Sequence, residues 1–165
     1  MSSPTLTFWG AAGTVTGSRF LVETDASRVL VDAGLYQGLR ELRQRNWDDL
    51  PVDPASLDGV VLTHAHLDHC GYLPRLVRDG LAAPVICTAQ TAELAAIVLR
   101  DSARLQEEDA EYANQAGFSR HRPALPLYDE RDVEKTLPLL RPVPLHDGVP
   151  LTEDVTVTLR SAGHI

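Results

Sequence analysis

The stretch Leu57-Asp58-Gly59-Val60-Val61-Leu62-Thr63-His64-Ala65-His66-Leu67-Asp68-His69 begins as an apolar run and ends as a cluster of metal-binding groups. Val60 to Leu62 is an apolar run of the length expected for a buried central strand, and the histidines start where that run stops. In extended backbone, residues i and i+2 project to the same side, so His64 and His66 can grip one ion together. The turn that follows would swing Asp68 and His69 toward a second ion. Imidazole and carboxylate together suit zinc, with manganese or iron also compatible by ligand type. Two ions about 3.5 to 4 Å apart can clamp the attacking and leaving oxygens of a displacement and activate water, the catalytic task expected of Asp68 and His69. The competing reading, a polar strand-to-helix turn with His66 capping and Asp68 opening the helix, is weak because histidine is a poor N-cap.

Upstream of the cluster, Thr5 to Trp9, Ser18 to Glu23 and Arg28 to Asp32 read as strands. Thr24 to Ser27 supplies a turn between the last two, which predicts an antiparallel beginning. Gln37 to Trp47 is polar and arginine-rich and reads as a short helix or ordered loop, to which no function is assigned. Downstream, one helix is expected from about Asp68 through Arg78, stopping near Gly80, then a strand over Pro84 to Thr88. Thr91 to Asn114 reads as a long helix, with Leu94, Ile97, Val98 and Leu105 near helical spacing. Gly117 to Tyr128 reads as an ordered loop, Glu130 to Leu137 as a short helix, and Val155 to Leu159 as a half-buried strand.

With 44% apolar residues among 165, the chain can build one ordinary globular core, and no run approaches the length of a membrane span. The start of the sequence shows no secretory pattern, which predicts a cytoplasmic protein with no membrane partner. Its 23 acidic against 15 basic residues give a net charge of -8, the wrong sign for nonspecific nucleic-acid binding, so any such chemistry must rest on a local site. Cys70 and Cys87 form no CxxC pattern and read as structural. His146, before Asp147-Gly148, reads as a turn residue, and His121, between Arg120 and Arg122, as part of a solvated basic loop. The glycine run from Gly10 to Ser18 lacks the Lys-Ser/Thr of a phosphate-binding loop and reads as a turn between strands, near the site or merely connecting.

His64-x-His66-x-Asp68-His69 after a buried strand resembles the defining motif of the metallo-beta-lactamase superfamily. Leu30-Val31-Asp32-Ala33-Gly34 resembles its first motif, whose aspartate lies beneath the ligands and orients them, and Ser161-Ala162-Gly163-His164 resembles its third, whose histidine completes the first metal site. The run Gly10 to Ser18, Asp32 to Gly38, and Gln106 to Asn114 followed by Pro126-Leu127-Tyr128 are similar to the beta-CASP RNA-processing branch. The resemblance implies an α/β (α+β) fold, a mixed sheet flanked by helices that forms the N-terminal half of an αββα sandwich. It also implies two zinc ions, metal ligands His64, His66, Asp68, His69 and His164, an orienting Asp32, and single-stranded RNA as substrate. In the family a bridging aspartate, a last second-site histidine and an inserted beta-CASP domain follow the third motif. Residues 1–165 are therefore expected to be the first part of a longer domain, completed by a downstream half or a partner copy. The alternatives are another hydrolase of this fold, such as a glyoxalase II-like thioesterase or a lactamase, and a non-catalytic chain that binds metal or a partner.

Overall fold

The computed structural model describes residues 3–117, 119 and 121–164. A six-stranded sheet runs in the order β1 (Thr5–Phe8), β2 (Phe20–Glu23), β3 (Arg28–Val31), β4 (Gly59–Val61), β5 (Val85–Cys87) and β6 (Leu140–Pro142). β1, β2 and β3 pair antiparallel, with Phe8 opposite Phe20 and Phe20 opposite Val31. The turn between β2 and β3 closes through Thr24, whose hydroxyl accepts from the Ser27 amide at 2.9 Å. From β3 onward the pairs are parallel, so the chain must cross over the sheet between strands.

Those crossovers carry α1 (Arg40–Gln44), α2 (Leu67–Cys70), α3 (Leu73–Arg78), α4 (Ala89–Ala116) and α5 (Glu130–Thr136). The helical side of the sheet holds the main core, with Leu21, Leu30, Val60 and Val85 from the strands packed with Leu62, Tyr72, Leu73, Leu76, Leu99 and Tyr128. On the opposite side Val29, Val61 and Ile86 are covered by the hairpin of β7 (Gly148–Pro150) and β8 (Thr156–Thr158), through Leu151, Val155 and Val157. The hairpin does not reach β1, where Leu6 and Phe8 remain 53% and 59% exposed. The expected mixed sheet flanked by helices is thus present. β6 and β7 were not anticipated, being three residues each and interrupted by proline.

Two expectations need correction. The single helix from Asp68 through Arg78 is two helices, broken at Gly71 and Tyr72. Pro74 has no amide hydrogen to continue the ladder, and the Tyr72 amide is diverted to the Ala33 carbonyl at 2.7 Å. In α4 the bulky residues that mark helical spacing lie outside: Leu94, Ile97 and Leu105 are 47%, 66% and 47% exposed. The face turned inward is Thr91, Ala95, Leu99, Ser102 and Ala103, whose small side chains let the 28-residue helix lie close to the sheet. The remaining elements fall within a few residues of their expected bounds.

The segment from Ala33 to Leu35 is fastened to α2 by backbone groups alone. Ala33 and Leu35 donate to the carbonyls of His69 and Leu67 at 2.7 and 2.9 Å, and Ser18 donates to that of Asp68 at 2.9 Å. Gly34 sits where these strands of chain touch, and a β-carbon there would lie 1.7 Å from the Asp68 oxygen. Gly34→Ala is therefore expected to lower the thermal midpoint by well over the few degrees that correspond to about 1 kcal/mol, or to abolish folding. Calorimetry giving a wild-type midpoint would contradict this account of the contact.

Candidate metal centre

Asp32 follows β3 at the carboxyl end of the parallel strands, in left-handed backbone (φ 61°) that aspartate tolerates better than most residues. It is 2% exposed, and its carboxylate is fully engaged. Oδ1 accepts from the Thr63 amide at 2.8 Å, Oδ2 from the Thr63 hydroxyl at 2.9 Å, and Oδ2 again from His69 Nδ1 at 2.7 Å. The aspartate thus ties the end of β3 to the loop after β4 and reaches the first helical turn beyond it.

These bonds set the histidine tautomers. With Nδ1–H of His69 donated to Asp32, Nε2 is left free, 3.6 Å from Asp68 Oδ2. The hydrogen bond that His69 donates to Asp32 holds His69 above its ordinary pKa of 6.5. Thr63 gives its hydroxyl proton to Asp32 and so receives Nδ1–H of His64 at 2.9 Å, which frees His64 Nε2 as a lone-pair donor. His64 is 8% exposed, and burial followed by its histidine neighbours pulls its pKa below the ordinary value. A neutral imidazole is the form that binds a metal.

His64 Nε2 lies 3.0 Å from His66 Nδ1, and His164 Nε2 lies 3.3 Å from the same atom. Donor atoms of all three fall within 4.8 Å of one another. Two nitrogens about 2.0 Å from a tetrahedral ion stand about 3.3 Å apart, so the two short separations match a shared cation and small side-chain shifts would bring the whole set onto it. His69 packs against His64 with ring centroids 4.0 Å apart, which brings the Asp68 and His69 pair alongside. His66 occupies the N-cap position of α2 but makes no side-chain capping bond, which disposes of the capping alternative.

All six residues singled out in the sequence, Asp32, His64, His66, Asp68, His69 and His164, are therefore gathered at one place. Thr63 was missed, although its position between Asp32 and His64 sets the tautomer of the latter. So was Arg19, which is 4% exposed and donates to the Gly34 carbonyl at 2.9 Å and to Asn46 Oδ1 at 3.1 Å. Its guanidinium lies 3.6 Å from the Tyr72 ring centroid, and burial lowers its pKa. No sequence signal marks an arginine just before a strand as the brace of a distant loop. Ser18, closing the glycine run, holds the Asp68 carbonyl, which puts that run next to the site.

The other candidates stay apart. Cys70 is buried, its thiol pushed up to about 12 by desolvation, and it donates to the Ala65 carbonyl. Cys87 lies in the core with its thiol raised to about 11. His146 adopts the left-handed turn conformation, φ 72°. His121 is exposed, and of its two neighbours Arg120 lies outside the described residues.

Residues 12–159 match the family model of the metallo-beta-lactamase superfamily. The chain belongs to that superfamily. It is 37% identical over 157 residues to "Ribonuclease TTHA0252" of Thermus thermophilus, covering 95% of this chain and 32% of the relative. It is 31% identical over 160 residues to "Transcription termination factor FttA" of Methanocaldococcus jannaschii, covering 97% of this chain and 23% of that protein. Among solved structures, a subclass B3 metallo-beta-lactamase from a soil metagenome library superposes with a TM-score of 0.46 at 20% identity, over 88% of this chain and 46% of that one. The chain thus spans a third or less of the curated relatives named here. A relative named as a ribonuclease accords with the RNA-processing branch that the sequence resembles.

In the metal-free chain, imidazole proton NMR should find His69 titrating above the ordinary histidine value and His64 below it, with Asp32→Asn bringing His69 down. The raised value means that the proton on His69 stabilises the metal-free fold fully below 6.5 and that this contribution is lost as pH rises through the folded value. In the metal-loaded protein, Asp32→Ala should weaken metal retention on dialysis by about 10- to 100-fold. Unchanged retention would remove Asp32 from the role of orienting His69.

Proposed function

We propose that the domain to which this chain contributes is a zinc-dependent hydrolase that cleaves phosphodiester bonds in single-stranded RNA. In this reading His64, His66 and His164 ligate one ion, Asp68 and His69 face a second, and Asp32 orients His69. The observation that carries it is the meeting of three histidine nitrogens within 4.8 Å, one of them 98 residues from its neighbour in sequence. Such a juxtaposition of bases with freed lone pairs is costly to assemble and is the donor set of a catalytic metal site with one position open.

Zinc bound there supplies the positive charge and Lewis acidity that hydrolysis of a dianionic transition state requires. The chain's own residues do the positioning. Thr63 fixes the His64 ring, Asp32 fixes the His69 ring, and the backbone bonds to Leu67, Asp68 and His69 keep α2 from drifting away from β4. Asp68 and His69 stand where they can help bind and deprotonate the water that attacks phosphorus.

Two observations support a domain larger than residues 1–165. Among the described residues the Asp68 and His69 side of the site has only those two donors, and the sheet face at Leu6 and Phe8 is apolar and uncovered. Either a downstream half or a second copy of the chain would supply the missing ligands and the missing layer. Among the described residues no helix is long and apolar enough to cross a membrane. The reading makes the protein cytoplasmic, together with its RNA substrate.

The test uses the longest protein that carries this segment. It should contain about two zinc ions and cut a labelled single-stranded RNA, with cutting lost on chelation and in His66→Ala. Residues 1–165 alone should hold at most one ion and leave the RNA intact. A metal-loaded protein that spares RNA but hydrolyses a thioester or a lactam would replace this reading, and robust cutting by residues 1–165 alone would overturn the proposed larger domain.

A further inference from the structure

A groove of about 820 Å³ runs along the outward face of α4, between that helix and the turn that contains α1. Leu67, which stands between His66 and Asp68 in sequence, lies in its lining, so the groove runs up to the segment that carries those two residues. The α4 wall is apolar and bare, with Ile97 and Leu105 exposed, and Leu125 completes it at 60% exposure. Opposite stands Trp47, 54% exposed, at the end of the 3₁₀ turn that follows α1. An indole left half in water beside a groove is available for stacking, and it is the only tryptophan that lines this one.

The charge around the groove is divided. Arg40, Arg43 and Arg45 all lie on the α1 side and, among the described residues, none of the three is in an ion pair; Arg122, Arg131, Arg141 and Arg160 also have none, but they are scattered along the chain, whereas these three are clustered. Arg45 lies 5.2 Å from the Tyr36 ring centroid. Arg40 and Arg43 are three apart and share a face of α1. Three unpaired guanidinium groups within six residues are notable in a chain of net charge -8. On the α4 wall Asp101 is held by Arg104 at 2.7 Å, and Asp109 also lines the groove. Carboxylates there repel phosphate and accept from the amino groups of bases, which orients a polyanion with its backbone toward α1 and its bases toward α4.

We propose that this groove is a subsite for single-stranded RNA, in which Trp47 stacks on a base while Arg40 and Arg43 hold the adjoining phosphates and lead the strand to the histidine site. The proposal rests on the RNA reading above and extends it to residues that make no contact with the metal centre. Stacking on an exposed aromatic beside a basic rim is a general way of holding single strands without regard to sequence. A duplex would not serve, because its bases are already stacked on one another.

The experiment measures binding of a fluorescent single-stranded oligoribonucleotide to the longest protein carrying this segment, across a range of salt. Trp47→Ala should weaken binding about tenfold and Trp47→Phe should retain most of it, as expected for stacking. Arg40→Gln and Arg43→Gln should each lower the slope of log affinity against log salt by about 0.7, whereas Arg131→Gln, on α5 away from the groove, should leave it unchanged. Hydroxyl-radical footprinting should oxidise Trp47 in the free protein and find it protected by RNA. Equal affinity in Trp47→Ala overturns the subsite. So does a Trp47 protected before RNA is added, which would mean that polypeptide fills the groove. Weakened binding by Trp47→Ala in a protein that cuts no RNA would support the subsite while removing the catalytic reading, so the two can fail separately.

Discussion

The carboxylate of Asp32 is the interaction on which the site depends. It is buried and takes three hydrogen bonds, from the Thr63 amide, the Thr63 hydroxyl and His69. Each bond to an ionised group is worth about 1.5 to 3 kcal/mol, and a buried carboxylate without them would be intolerable. The same three bonds join the ends of β3 and β4 and dictate which nitrogen of His64 and of His69 faces the site. Stability and ligand geometry are therefore one arrangement here, since the bonds that make Asp32 acceptable in the interior are those that aim the rings.

Around that carboxylate the backbone does work that side chains usually do. The carbonyls of Leu67, Asp68 and His69 are taken by Leu35, Ser18 and Ala33, and the Tyr72 amide returns to Ala33. The loop after β3 thereby stops α2 after one turn and fixes the direction in which Asp68 and His69 emerge. Arg19 braces the outer side of that loop through the Gly34 carbonyl and Asn46, while Asn46 binds both backbone groups of Tyr36. Stacking on Tyr72 and two hydrogen bonds make the buried guanidinium tolerable, a cation–π contact of this kind being worth about 2 kcal/mol when desolvated.

The acidic surface has a counterpart in where the free positive charge lies. Five surface arginines, Arg28, Arg75, Arg78, Arg100 and Arg104, are spent in pairs with carboxylates, Arg104 within α4 itself, and such exposed pairs contribute little to stability. The arginines of α1 are not spent in this way, and they sit across a bare apolar wall from a helix rich in acid. On the proposed reading a polyanion would be repelled by most of the surface and attracted along α1 and at the histidine site once that holds a cation, which is how a protein of net negative charge can still address nucleic acid.

What could be read from the sequence was whatever depends on local spacing. The His64-to-His69 cluster, the strand before it, Asp32 after β3 and the final histidine were all legible, because alternation in extended chain and the chemistry of imidazole and carboxylate need only neighbours. The family followed from the same residues. What the sequence hid depends on which face of an element meets the rest of the molecule. In α4 the bulky Leu94, Ile97 and Leu105 suggested a buried stripe, yet close approach to the sheet selects the small residues Ala95, Ser102 and Ala103, and the large ones are left exposed, Ile97 and Leu105 lining a groove. The break between α2 and α3 arises from amides and carbonyls claimed by a loop more than thirty residues earlier. That Thr63 sets a histidine tautomer, that Arg19 braces a loop from within the core, and that His164 comes to rest 3.3 Å from His66 are likewise consequences of distant chain segments meeting. Local pattern determines which chemistry a segment can offer, whereas only packing decides which offers are brought together and which side chains are left facing water.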